Sequence, residues 1–192
     1  MNLSVAVLII VAAIVLLPFV YVLAQYNALV ALRNYIRESW SDVDVELKRR
    51  YDLIPNLVNV VKGYAAHERE TLERVTELRN RCAANNGPVA DQSRDEIQLV
   101  DALKQLLAVV ENYPQLKADQ NFLKLQTELV NTEDRIQAAR RFYNGNVRDY
   151  RNKCETFPSN LVANLFGFKS EGDFFSVPPS VKEVPNVDFA TS

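Results

Sequence analysis

The chain has 192 residues, of which 22 are basic and 24 are acidic, and its net charge at neutral pH is −2. This balance excludes the strongly basic surface that binding to nucleic-acid phosphates requires, so we expect no nucleic-acid partner. The chain contains only five glycines, and this low content favours long helices over a turn-rich sheet.

The N-terminal segment from Leu3 to Ala24 is apolar and contains no charged residue. As a helix it would be about 33 Å long, which is enough to cross the hydrocarbon core of a bilayer. A cleaved signal peptide is the alternative, but such peptides begin with a basic region and have a shorter apolar core. The segment therefore predicts a retained single-pass anchor, residues 1–25, that contacts the lipid bilayer through residues 3–24.

The basic residues near the anchor indicate its orientation. Arg33 and Arg37 follow the anchor, whereas no Lys or Arg precedes it. By the positive-inside rule, this small asymmetry places the soluble part in the cytoplasm.

Two helices are predicted directly after the anchor. The first runs from Tyr26 to about Arg50, and no Gly or Pro separates it from the apolar segment, which is compatible with one continuous rod. Pro55 disfavours a helical conformation at the residue before it and suits the first position of a new helix. We therefore predict a tight turn at Tyr51–Ile54 and a second helix from Pro55 to about Asn85. A kink in one long helix is the alternative.

The next segment predicts a third helix. The sequence from Asn85 to Pro88 ends the second helix, with Gly87 as its left-handed cap. Ser93 and Glu96 have the spacing of a capping box and are predicted to start the third helix. The Asn112–Pro114 segment ends it.

The fourth helix is predicted to be the longest, from about Pro114 or Asp119 to Thr156. Aromatic and aliphatic residues recur there at every seventh position, as expected for a packed helix. A short helix from Ser159 to Phe166 follows and ends at Gly167. From Phe174 to Phe189 the chain is apolar and Pro-containing, which excludes a regular helix and favours a docked, extended tail.

These elements together predict an all-α protein. We expect an N-terminal transmembrane helix (residues 1–25), an antiparallel bundle of about four long helices (residues 26–168), and an extended tail (residues 169–192) that docks on the bundle.

Several motifs of the chain resemble those of the LemA family of bacterial membrane-anchored proteins. They are Tyr26–Val30, Arg49–Val58, Val61–Tyr64 with His67-Glu68, Glu111–Leu116, Arg140, Tyr143-Asn144, Tyr150, Phe157-Pro158 and Val184–Phe189. The sequence departs from the family pattern at Tyr150-Arg151-Asn152, where Asn would directly follow Tyr. The resemblance implies one N-terminal anchor and long antiparallel helices, without an established activity. Family members with a lipoprotein-type N-terminus would place the bundle outside the cytoplasm, opposite to the charge asymmetry, so the side of the membrane stays open.

The sequence predicts no catalytic, cofactor-binding or metal-binding residues, and hence neither an enzyme nor a cofactor. His67 is the only histidine, and a zinc-protease helix would need a second histidine where Thr71 stands. Cys82 and Cys154 occupy core-facing positions on separate predicted helices, so we expect buried residues rather than a nucleophile. Whether the two cysteines are free thiols or form a disulfide bridge stays open.

The basic residues Arg33 and Lys48-Arg49-Arg50 allow two interpretations. They contact anionic lipid or a partner, or their stems pack over apolar surface and pair with Asp52 or with carboxylates of a neighbouring helix. We favour the second, because Arg49 and Arg50 lie about 35–40 Å beyond the anchor along a continuous helix, far outside the screening length.

The sequence therefore predicts a membrane-anchored scaffold or adaptor that acts through protein–protein contacts. We expect self-association and contacts with other membrane proteins. The alternative is a membrane-bound sensor that holds a ligand between its helices.

Overall fold

The computed structural model describes residues 3–170 and 172–175, and in this part of the chain every regular element is a helix. The helices are α1 (Leu3–Tyr64), α2 (Arg69–Ala84), α3 (Val89–Val110), α4 (Pro114–Lys117), α5 (Gln120–Glu155) and α6 (Ser159–Leu165). Helices α2 and α3 are joined by a short loop and pack against each other as antiparallel neighbours. The predicted all-α fold with a long apolar N-terminal helix is thus confirmed.

Helix α1 continues from the apolar segment through Pro55 to Tyr64. The continuous rod is therefore confirmed, and the predicted turn at Tyr51–Ile54 is wrong. Proline lacks the N–H group that would bond to the carbonyl of Tyr51. The Nε of Arg79, on α2, donates a hydrogen bond to this carbonyl oxygen instead, at 3.0 Å. A side chain distant in sequence thus satisfies the carbonyl that the proline leaves free.

Burial on both sides of the proline also favours the unbroken helix. Ile54 and Leu57 are fully buried, so a turn at this point would remove two large side chains from the core. The chain turns later, at Ala65–Glu68, between α1 and α2.

The connection between α2 and α3 differs from the prediction in two respects. Gly87 does not have a positive φ, so it is not a left-handed cap. The loop is formed by the Asn85 side chain, whose Oδ1 accepts a hydrogen bond from the N–H of Gly87 at 2.9 Å. Helix α3 already begins at Val89, so Ser93 and Glu96 are not a capping box but lie inside the helix and are buried. Their three-residue spacing places them on the core-facing side together with Leu99.

Helix α5 begins at the second of the two predicted positions. The Oδ1 of Asp119 accepts a hydrogen bond from the N–H of Phe122 at 3.0 Å, as an N-terminal cap does. Helix α6 ends before Gly167, whose φ of 71° is left-handed. The predicted end of the short helix is confirmed.

The described residues form two compact units. Unit 1 consists of the described parts of Met1–Ser41 and Arg141–Gly172, and unit 2 of those of Asp42–Arg140 and Asp173–Ser192. The domain boundaries predicted at residues 25 and 168 stay a prediction. Most of the predicted tail, residues 176–192, lies outside the described residues, so its docking on the bundle also stays a prediction.

Candidate functional site

The core of unit 2 contains an ionic cluster that connects three helices. Arg50 on α1 and Glu96 on α3 are buried, at 3% and 4% exposure. The Nη2 of Arg50 pairs with Oε2 of Glu96, and its Nη1 donates a hydrogen bond to Oε2 of Glu133 on α5 at 2.8 Å. The hydroxyl of Tyr51 donates a hydrogen bond to Oε1 of Glu96. These four side chains are called the buried ionic cluster below.

The helix period places the cluster in the core. On α1, Arg50 lies three residues after buried Leu47 and four before buried Ile54, so it belongs to the core-facing row. Glu96 occupies the corresponding position three residues before buried Leu99 on α3. A charged residue within an otherwise apolar row was the sequence signal for the cluster. It was missed because the capping-box interpretation assigned Glu96 to a helix start.

A second guanidinium lies close to the cluster. Burial lowers the pKa of Arg140, the carboxylate of Glu133 raises it, and the positive charge of Arg50 lowers it. The guanidinium carbon of Arg140 lies 4.6 Å from the ring centroid of Phe175, a cation–π distance. The buried Arg50, Glu96 and Arg140 and the partly exposed Glu133 therefore balance one another's charge in unit 2.

Tyr51 in the cluster and the neighbouring Cys82 stay protonated at neutral pH. Burial raises the pKa of the Tyr51 phenol, Cys82 raises it further, and Arg50 opposes the shift. Burial also raises the pKa of the Cys82 thiol to about 11, against the opposing charge of Arg50. Tyr51 thus acts as a hydrogen-bond donor, and Cys82 is an unreactive thiol.

The pairing of the cluster disfavours binding of an anionic ligand. Arg50 already has two carboxylate partners, so an anionic ligand would have to displace Glu96 or Glu133. The cluster joins α1, α3 and α5 through charge pairs, although the buried Nε of Arg50 has no hydrogen-bond partner. We expect these pairs to fix the relative register of the three helices. Within residues 3–170 and 172–175, no group of three His, Cys, Asp or Glu side chains is placed to hold a metal ion.

The residues weighed as sites in the sequence lie apart from one another. His67 is exposed in the loop between α1 and α2. Cys82 in unit 2 and Cys154 in unit 1 are both buried free thiols, as expected for packing positions. In unit 1, a shallow depression is lined by Asp149, Asn152, Lys153, Thr156 and Ser159.

Arg33 packs on an aromatic ring and Arg50 pairs with neighbouring helices, as predicted, whereas Arg49 pairs within its own helix. The Arg33 guanidinium lies 5.5 Å from the ring centroid of Phe168. Arg49 pairs with Glu46 on its own helix at 3.2 Å. Arg50 pairs with carboxylates of neighbouring helices rather than with Asp52.

Comparison with known proteins identifies the family. The profile of the LemA family matches residues 39–189, which is most of the chain. The chain belongs to the LemA family. The resemblance of its motifs to that family is thereby confirmed. The LemA-family match includes every residue of the buried ionic cluster, whereas the apolar segment Leu3–Ala24 precedes it.

Curated relatives include LemA and magnetosome proteins. Protein LemA of Metamycoplasma hominis is 31% identical over 176 residues, which cover 91% of this chain and 77% of that protein. Magnetosome protein MamQ 2 of Paramagnetospirillum magneticum is 26% identical over 183 residues, or 82% of this chain and 67% of that protein. Magnetosome protein MamQ of Magnetospirillum gryphiswaldense is 26% identical over 181 residues, or 81% of this chain and 66% of that protein.

Proposed function

We propose that this LemA-family protein is a membrane-anchored scaffold or adaptor that acts through protein–protein contacts and self-associates. The N-terminal part of α1 is long and apolar enough to cross a membrane. Its large side chains, including Leu8, Leu17 and Phe19, are exposed, as lipid-facing side chains would be. We place the protein in the cell membrane as a single-pass protein.

The observation that carries the proposal is an exposed apolar row on α5 in unit 2. Leu123 and Val130 are 46% and 57% exposed and lie seven residues, or two turns, apart on one face. Phe122 and Ile136 on another face of the same helix are buried. A helix with a buried face and a second apolar seam suits contact with another helix.

Membrane confinement favours association through such a contact. A common membrane raises the effective concentration of anchored copies, so a small apolar seam suffices for association. The anchor segment contains no glycine, and close Gly-xxx-Gly packing within the bilayer is therefore not its basis. Association is assigned to the helical part outside the membrane.

The alternative of a ligand sensor has less support. Its ligand would need unoccupied polar groups between the helices. Both terminal nitrogens of Arg50 are paired with Glu96 and Glu133, although its buried Nε has no hydrogen-bond partner, and the Arg140 guanidinium lies over the ring of Phe175.

Co-purification of two differently tagged full-length copies from native membranes tests the scaffold. We expect it to survive replacement of Leu3–Ala24 by an unrelated spanning helix. Leu123→Gln with Val130→Gln should reduce co-purification at least about tenfold. The contact between copies would bury both side chains, and their loss removes more than about 1.4 kcal/mol from the free energy of association.

The matched control is Lys124→Gln with Glu128→Gln, which changes exposed polar residues of the same helix and should leave co-purification intact. Loss of co-purification on replacing the anchor would assign the association to the membrane span. Monomer alone at native expression, or an unchanged yield in the Leu123/Val130 variant, would refute the proposed seam.

A further inference from the structure

Helix α6 in unit 1 has one buried and one exposed apolar face. Val162 and Ala163 are buried in a cluster with Leu29 and Phe168. Leu161 and Leu165 face outwards and are 60% and 73% exposed. Phe157, four residues before Leu161, is 74% exposed. Leu161 and Leu165 lie one turn apart on α6, and Phe157 lies in the turn that precedes the helix. These three exposed side chains are called the α6 apolar row below.

The structure places α6 beside the end of the apolar segment of α1. Tyr21 and Val22, which belong to that segment, pack against the cluster that contains Val162 and Ala163. Tyr26, two residues after the segment, lies 4.9 Å from Phe166 and 5.5 Å from Phe168, between ring centroids. Tyrosines at the end of a membrane span prefer the headgroup layer. Helix α6 therefore lies at the height of that layer.

Contacts further along α1 provide a comparison position in the same unit. The ring of Tyr143 lies 5.3 Å from that of Trp40, and Nδ2 of Asn146 donates a hydrogen bond to the carbonyl of Tyr35 at 3.3 Å. Tyr35 and Trp40 lie about 17 and 24 Å beyond Ala24 along the helix. The neighbouring Phe142 is 60% exposed, like the α6 apolar row, but it is level with this more distant part of α1.

We propose that α6 is a second membrane contact, whose apolar row of Phe157, Leu161 and Leu165 enters the headgroup–acyl boundary of the bilayer that α1 crosses. Interfacial helices bury their apolar face about 5–10 Å into this boundary. Asn164, which is exposed and adjacent to Leu165, suits the headgroup layer. The proposal requires the membrane anchor of the proposed function and is independent of self-association.

Fluorescence of the full-length protein in phosphatidylcholine vesicles tests the proposal. An environment-sensitive label is attached to Leu161→Cys, Leu165→Cys or, as the matched control, Phe142→Cys. The native Cys82 and Cys154 are buried, and the unsubstituted chain gives the background labelling. A label at Leu16→Cys reports on the anchor itself.

We expect blue-shifted emission at Leu161→Cys and Leu165→Cys, and a severalfold loss of intensity when part of the lipid carries a spin-labelled acyl chain. The Phe142→Cys label should show neither effect. Quenching at Leu16→Cys without quenching at Leu161→Cys and Leu165→Cys would overturn the α6 contact and leave the anchor in place. Absence of quenching at Leu16→Cys would overturn both.

A second copy of the chain is the competing occupant of the α6 apolar row. It would give blue-shifted emission without quenching by lipid, and the shift would disappear on dilution of protein into excess lipid. That result would also overturn the membrane contact.

Discussion

The two units of the molecule have cores of different chemistry. Unit 1 is held by apolar and aromatic packing, with Leu29, Tyr150 and Phe168 in its central cluster. The charged side chains that are buried in the described residues, Arg50, Glu96 and Arg140, all belong to unit 2. An apolar core tolerates side-chain changes that conserve volume. A buried ionic cluster does not, because each member leaves an uncompensated charge when its partner is removed.

The largest effect is expected from Glu96→Ala in unit 2. The substitution leaves the buried Arg50 with only the partly exposed Glu133, and breaking a buried pair lowers the free energy of unfolding by about 3–5 kcal/mol. Urea titration of the full-length protein in detergent, followed by circular dichroism, measures the change.

A fully apolar replacement provides the control for this change. Arg50→Met, Tyr51→Phe and Glu96→Leu together remove every charged or hydroxyl group that faces the lost carboxylate, so most of the stability should return. If this triple variant is as unstable as Glu96→Ala, the loss is due to packing rather than to an unpaired charge.

The next effect is a pH dependence from Cys82. Its folded-state pKa of about 11 lies above the ordinary value of 9.0, so the folded protein retains the thiol proton longer than the unfolded chain. Its contribution is complete below about pH 9 and is lost as the pH rises towards 11, by about 1.4 kcal/mol per pH unit. Urea midpoints across this range should fall less steeply in Cys82→Ala. Parallel curves for the two proteins would contradict the assignment.

A smaller effect is expected at the proline of α1. Arg79→Met leaves the Tyr51 carbonyl without its side-chain donor, which should cost about 1–3 kcal/mol. Pro55→Ala restores a backbone N–H for the same carbonyl and should recover most of this loss. Thermal unfolding of the two single variants and the double variant measures the coupling.

Ser39→Ala in unit 1 is the matched control for Arg79→Met. The buried Ser39 hydroxyl donates to the carbonyls of Tyr35 and Ile36 within its own helix, so its removal orphans no backbone group. It should change the melting temperature much less than Arg79→Met. Equal effects would contradict the importance of the hydrogen bond from Arg79 to the Tyr51 carbonyl.

The smallest effect is expected from Phe175→Leu. Leucine keeps an apolar side chain at this buried position but removes the ring that faces the Arg140 guanidinium. We expect a loss of about 1 kcal/mol, the typical size of a partly desolvated cation–π contact. Unfolding free energies of Phe175→Leu, Arg140→Met, the double variant and the unchanged protein form a double-mutant cycle. A coupling energy of zero would exclude the cation–π contribution.

Local signals in the sequence predicted much of the fold. The uncharged segment Leu3–Ala24 predicted a long apolar helix, and the sevenfold repeat predicted α5. Asp119 was one of the two predicted starts of the long helix, and Gly167 was the predicted end of the short one. Both ends are set by interactions within a few residues, a capping carboxylate and a left-handed glycine.

The errors have a common physical reason. The turn predicted at Tyr51–Ile54 does not form because Arg79, on another helix, bonds to the carbonyl that Pro55 leaves free. Glu96 faces the core because Arg50, distant in sequence, neutralises its charge. Both outcomes depend on tertiary partners, which a pattern of neighbouring residues does not contain.

The bond between Arg79 and the Tyr51 carbonyl also has a consequence for the order of assembly during synthesis. The residues on both sides of Pro55 leave the ribosome before Arg79 does, so the donor that completes the helix is not yet present. We expect the segments before and after the proline to form first as separate, fraying helices. They join only when α2 packs against them, so α1 becomes continuous through Pro55 late in folding.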